Sequence, residues 1–154
     1  SAQCFGGGGG CFQTRQELSG QCLCEAVRFK AVGGVKRVSA CYCRQCQTQN
    51  GGGPFYGAEL HGELVVENEN ALRWYNSSDK AKRGFCVVCG SSLFWRGNDD
   101  ASFFDVSLGA LNDISDIQLD AHIFVDNCPS YMSVADTAPH FTEADALANP
   151  PTDN

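Results

Sequence analysis

The chain has 154 residues, of which 43% are hydrophobic and 10% aromatic, enough to build one domain with a real core. Its formal charge is −7, with 11 Lys and Arg against 18 Asp and Glu, which argues against nonspecific nucleic-acid binding because phosphate contacts need clustered cations. No stretch has the length of an apolar membrane span, and no Lys/Arg-led apolar segment opens the chain as a secretory signal would, so a cytoplasmic protein without a membrane partner is expected.

Residues 1–19 differ from the rest. They hold Cys4, five consecutive glycines at 6–10 and Cys11, and they read as a Gly-rich tail, because such a chain loses the most conformational entropy on ordering. Residues 20–154 read as one domain of short strands separated by turn residues. Ala26, Phe29 and their neighbours alternate apolar and polar over 26–30, as a half-buried strand does. Gly33 and Gly34 turn the chain into a returning strand over 35–40. A single helical turn is expected over 44–50, stopped by Gly51, Gly52, Gly53 and Pro54. Further strands are expected over 55–60, 63–67, 72–75, 92–96, 103–107 and 120–125. Closely spaced strands with Gly, Asn and Asp turns predict an all-β fold, a sandwich of short antiparallel strands or a partly open barrel.

Ten cysteines dominate the chemistry. In a secreted protein they would suggest disulfides; in a cytosolic one, metal or redox work. Three clusters stand out: Cys22 with Cys24, the triplet Cys41, Cys43 and Cys46, and Cys86 with Cys89 followed by Gly90. Two cysteines separated by two residues can turn both sulfurs to one ion, and a glycine after the second permits the tight backbone. The first and last pairs together supply the four thiolates of a closed structural zinc site, whose binding energy is folding energy. Iron also suits four thiolates. A disulfide across one intervening residue would be strained. The triplet offers three sulfurs, which suit a second zinc with one open position, the arrangement of a catalytic site. The alternative is three free thiols. Cys4, Cys11 and Cys128 fit no cluster and read as bystanders.

The motifs from Gly20 to Phe141 resemble the glutathione-dependent formaldehyde-activating enzymes. The resemblance rests on Gly20-Gln21-Cys22-Leu23-Cys24, on Cys41-Tyr42-Cys43-Arg44-Gln45-Cys46 with Asn50-Gly51 behind it, and on Lys82-Arg83-Gly84-Phe85-Cys86-Val87-Val88-Cys89-Gly90. His122-Ile123-Phe124-Val125, Pro129, Asp136 and Pro139-His140-Phe141 close it. The resemblance implies a zinc-stapled β fold with Cys22, Cys24, Cys86 and Cys89 as structural zinc ligands. It implies Cys41, Cys43 and Cys46 as ligands of a second, catalytic zinc. It further implies a carbon–sulfur lyase that joins glutathione and formaldehyde into S-hydroxymethylglutathione and reverses the reaction. This chain departs from the family pattern at Tyr42, commonly His, at Tyr131, often Trp, and at Glu25, usually Gly.

Other residues take plainer roles. His122, in an apolar strand, reads as a hydrogen-bonded structural histidine. Trp74, Tyr75 and Trp95 read as core or rim. Lys80, Lys82, Arg83 and Arg44 are candidates to meet an anionic ligand, with a solvated surface as the plainer reading. No Ser/His/Asp arrangement, phosphate loop or dinucleotide fingerprint is present. The enzyme reading therefore stands beside two others, a non-catalytic zinc-binding β module for a protein or thiol partner, and a thiol redox sensor.

Overall fold

The computed structural model describes residues 12–133 and 137–148. Among these residues, eleven strands form two sheets. The smaller sheet has the order β1 (Glu17–Gln21), β2 (Arg28–Val32) and β5 (Glu63–Val66), all antiparallel. The larger has eight strands: β11 (His140–Phe141), β10 (Ala121–Ile123), β3 (Val35–Cys41), β4 (Phe55–His61), β9 (Phe103–Ser107), β8 (Ser92–Gly97), β7 (Ala81–Cys86) and β6 (Leu72–Asn76). It is antiparallel except where β10 runs parallel to β3 and to β11. Two short helices, α1 (Arg44–Gln49) and α2 (Glu143–Ala148), complete the fold. No helix among the described residues is long and apolar enough to cross a membrane.

Strand alternation sorts the side chains into two compartments. Phe29 and Ala31 of β2, with Leu18 of β1, face Val38, Ala58, Leu60, Phe94, Phe104 and Val106 of the larger sheet, and all are buried. The rings of Phe29 and Phe94 meet edge-on with centroids 4.8 Å apart, which joins the two sheets at the centre of the core. The residues between these core positions, among them Arg37, Ser39 and Cys41 on β3 and Glu59 and Gly57 on β4, point to the opposite face, where a pocket lies. The expected all-β sandwich is therefore what forms, with mixed strand directions at one edge.

The segment expected as a tail enters the fold earlier than residue 20. Residues 12–19 include a 3-10 turn at Phe12–Thr14 and most of β1, and Phe12 is fully buried in the core. A single apolar residue after a glycine run carries too little pattern to predict that. Residues 1–11, with Cys4 and Cys11, lie outside the described residues. Gly20 of β1 is required by close approach, since a Cβ there would stand 2.3 Å from the Ala110 carbonyl oxygen and 2.5 Å from the Phe29 ring.

The strand expected at 26–30 begins two residues later. Residues 22–27 are used for a cysteine loop in which Glu25 takes a left-handed φ of 69°, so β2 starts only at Arg28. The strand expected over 120–125 is cut to Ala121–Ile123 because Phe124 turns left-handed, with φ 59°. Tyr75 lies outside both core and rim, with 66% of its surface exposed.

Candidate metal centres

The four-cysteine cluster is assembled from two loops on different sheets. Cys22 and Cys24 lie in the connection from β1 to β2; Cys86 ends β7, and Cys89 follows in the turn to β8. Backbone geometry shapes both loops. Glu25 N–H donates to the Cys22 carbonyl at 3.1 Å, and Gly90 N–H to the Cys86 carbonyl at 2.9 Å, with Gly90 at φ 77° as its place after Cys89 suggested. The Leu23 N–H donates to the Ser91 hydroxyl at 3.1 Å and ties one loop to the other.

The four sulfurs lie within 4.8 Å of one another, with Cys22–Cys24 at 3.7 Å and Cys24–Cys86 at 3.8 Å. A tetrahedron with metal–sulfur bonds of about 2.3 Å has edges of about 3.8 Å, so the donor set fits one tetrahedral ion. Backbone amides stabilise negative sulfur here. Val27 N–H donates to Cys22 Sγ at 3.2 Å, and Val88 N–H to Cys86 Sγ at 3.3 Å. The Ser91 hydroxyl and amide beside Cys89 hold its thiol down to about 5.

The second cluster is local in sequence. Cys41 ends β3, Cys43 caps α1 and Cys46 lies in its first turn, where its N–H donates to Cys43 Sγ at 3.3 Å. Their three sulfurs also lie within 4.8 Å of one another. Hydrogen bonds from the Cys41 and Cys46 thiols, joined by the Cys46 amide and the Arg83 guanidinium, hold Cys43 down to about 2. Cys41, the donor in that arrangement, is pushed well above the usual thiol range. Three thiols packed this closely share their protons unequally, with Cys43 shifted down and Cys41 up. Three sulfurs fit a metal that keeps one position for another ligand.

The triplet opens on a cavity of about 510 Å³, within the usual range for small-molecule sites. Its floor is a row of side chains running across neighbouring strands in register: Arg37 on β3, Glu59 on β4, Asp105 on β9, Trp95 on β8 and Arg83 on β7. Glu59 is buried, and Arg37 approaches it at 3.7 Å. Burial raises Asp105 to about 7, with Arg37 opposing. Arg44 and Lys80 also line the cavity.

Sequence reading brought the seven cysteines into the two groups in which they stand: spacing carried the pairs and the triplet, and strand ends with the family resemblance joined Cys22 and Cys24 to Cys86 and Cys89. It missed the charged floor. Arg83, expected at a solvated surface with its basic neighbours, is 6% exposed, because alternation on β7 turns it into the cavity while Lys82 crosses over to the Trp74 ring. Glu59 and Asp105 left no local signal, since only strand register makes them neighbours. His122 behaves as expected: it is buried and shares a 2.9 Å hydrogen bond with the Tyr42 hydroxyl. Cys128 joins neither cluster.

Comparison with known proteins decides the lineage. The family model described as glutathione-dependent formaldehyde-activating enzyme matches residues 17–127. The chain belongs to this family. A Schizosaccharomyces pombe protein named an uncharacterized lyase is 30% identical over 127 residues, covering 82% of this chain and 91% of that protein. A Halomonas elongata protein named for the glutathione-dependent formaldehyde-activating enzymes is 34% identical over 86 residues, 50% of this chain and 54% of that protein. A crystal structure of a Rhodobacter sphaeroides protein superposes with a TM-score of 0.51 at 20% identity, over 64% of this chain and 91% of that chain, a likeness of fold. Membership places this chain among the lyases.

Proposed function

We propose that this family member is a zinc-dependent carbon–sulfur lyase acting on the adduct of an aldehyde with a small thiol such as glutathione. Cys22, Cys24, Cys86 and Cys89 hold a structural zinc, and Cys41, Cys43 and Cys46 hold a second, catalytic one. The observation that carries the reading is the placement of three sulfurs, within 4.8 Å of one another, on the wall of a ligand-sized cavity.

In the synthetic direction the thiol sulfur forms a bond to the aldehyde carbon, and the thiol proton ends on the former carbonyl oxygen as a hydroxyl. In the lyase direction that carbon–sulfur bond breaks, the carbonyl re-forms and the sulfur recovers its proton. A zinc at the triplet supplies a Lewis acid that keeps a substrate thiol deprotonated near neutral pH. The chain's own residues do the rest. Phe55, Trp95 and Phe103 give the cavity apolar walls that exclude water from the reacting carbon. Arg44 and Lys80 suit the carboxylates of a small peptide thiol, and Glu59 with Asp105 suits its ammonium group. None of the described cysteines is joined in a disulfide, which suits a reducing compartment such as the cytoplasm.

The test is turnover of glutathione with formaldehyde, followed by exchange NMR, with zinc per chain measured on the same protein. The wild type is expected to hold two zincs and exceed the uncatalysed rate. Cys43→Ser is expected to keep one zinc and its fold and to return to the uncatalysed rate. Undiminished turnover by Cys43→Ser would falsify the assignment. A wild type with one zinc and no turnover would favour the binding-module reading.

A further inference from the structure

Arg83 presents a problem of charge. It is 94% buried, and a buried cation must be paired or hydrogen-bonded to be tolerated. Among the described residues it forms no salt bridge with a carboxylate. One terminal nitrogen donates to the Gln45 side-chain oxygen at 2.8 Å and to the Ser77 hydroxyl. The other faces sulfur, Cys46 Sγ at 3.4 Å and Cys43 Sγ at 4.0 Å. The anion that answers this guanidinium is therefore the triplet itself.

We infer that Arg83 is the counter-ion of the triplet and the positioning residue for the metal it holds. The inference rests on the reading of the triplet as a metal site. Three thiolates around a divalent ion leave one net negative charge, and one guanidinium cancels it. The four-cysteine cluster leaves two such charges and, among the described residues, has no arginine in contact with its sulfurs, but Cys24 is exposed, so water screens it. None of the triplet's cysteines is exposed, and Arg83 stands against two of its sulfurs.

The shape of arginine matters as well as its charge. The planar fork lets one nitrogen serve sulfur while the other grips Gln45 and Ser77, so the guanidinium is fixed from two sides. Gln45 in turn donates to the Ser77 carbonyl at 3.2 Å, which ties α1, and with it Cys46, to the turn that leads into β7. A partner of this kind, outside the metal's own ligands, typically changes metal affinity by about 10–100-fold.

The experiment measures zinc affinity at both sites by competition with a chromophoric chelator, in full-length protein under reducing conditions, alongside zinc per chain. Arg83→Gln is expected to weaken the second zinc by about 10–100-fold while the first stays bound. Arg83→Lys, which keeps the charge, is expected to recover part of that loss. Gln45→Ala, which removes the grip but keeps the guanidinium, is expected to cost less than Arg83→Gln. If Arg83 only braces the fold, Gln45→Ala and Arg83→Gln weaken the site equally and Arg83→Lys restores nothing. Either that pattern or an unchanged second site in Arg83→Gln overturns the inference. If Arg83→Gln loses both zincs through misfolding, Arg83→Lys decides: a variant that keeps the first zinc and binds the second more weakly than the wild type supports the inference, and one that keeps the first and binds the second as the wild type does, or not at all, overturns it. A wild type that binds only one zinc overturns the triplet reading together with the inference; two zincs with an indifferent Arg83 overturn the inference alone.

Discussion

Replacing Cys86 by serine tests what the four-cysteine cluster does for the fold. Cys86 is fully buried, accepts hydrogen bonds from the Val88 and Cys89 amides, and closes a cluster whose Cys22 and Cys24 come from the other sheet. A structural zinc in such a site contributes about 10–16 kcal/mol, comparable with the whole stability of a domain, about 5–15 kcal/mol. Losing one of four ligands removes roughly a quarter of the lower figure, about 3 kcal/mol. A buried serine hydroxyl, too short to reach the ion, adds about 1–3 kcal/mol. For a chain of this length each kcal/mol lowers Tm by about 2–4 °C, so Cys86→Ser should melt about 10–20 °C below the wild type. Thermal unfolding followed by far-UV circular dichroism, with zinc counted in the same samples, measures it. A variant that has lost one zinc yet melts within about 3 °C of the wild type would show that the two sheets hold together without the staple.

Two further outcomes follow from the packing. Asp105 is held up to about 7, chiefly by burial, from an ordinary 3.8, so the folded protein grips its proton more tightly than the unfolded chain does. Its contribution is favourable at low pH and is lost as pH rises from about 4 to about 7. Asp105→Asn should therefore flatten the fall of Tm across that window, and parallel Tm–pH curves for the two proteins would refute the shift. Gly20→Ala would press a methyl group against the Ala110 carbonyl oxygen and the Phe29 ring, at 2.3 and 2.5 Å before relaxation. It should cost about 1–3 kcal/mol by overpacking, read as a lower urea midpoint at unchanged slope; an unchanged midpoint would mean that β1 shifts freely.

Much of the fold was legible because its strands alternate cleanly. Residues 35–40, 55–60 and 103–107 all fall within strands, with Val38, Ala58 and Phe104 facing the core as their period requires. β7 was missed because its segment, Ala81 to Cys86, mixes a basic run with glycine and carries no apolar alternation. Its place in the sheet is set by neighbours on both sides. The cysteine pairs and the triplet were legible because metal-ligand spacing is a local property; joining the first pair to the last took their places at strand ends and the family resemblance. The floor of the cavity was not, because Arg37, Glu59 and Asp105 are far apart in the chain and meet only through register. Tyr42, a departure from the family pattern, finds its explanation in the fold: its hydroxyl satisfies buried His122.

β7 carries Arg83 against the triplet and, three residues later, Cys86 in the four-cysteine cluster. Three residues of strand span only about 10 Å, too short a length to open at one end while the other stays paired. Proteins open in contiguous cooperative units, and this strand places both cysteine clusters in the same one. Any fluctuation that peels β7 from β8 withdraws a sulfur from one centre and the guanidinium from the other in a single event. One six-residue strand thus carries a part of each cluster.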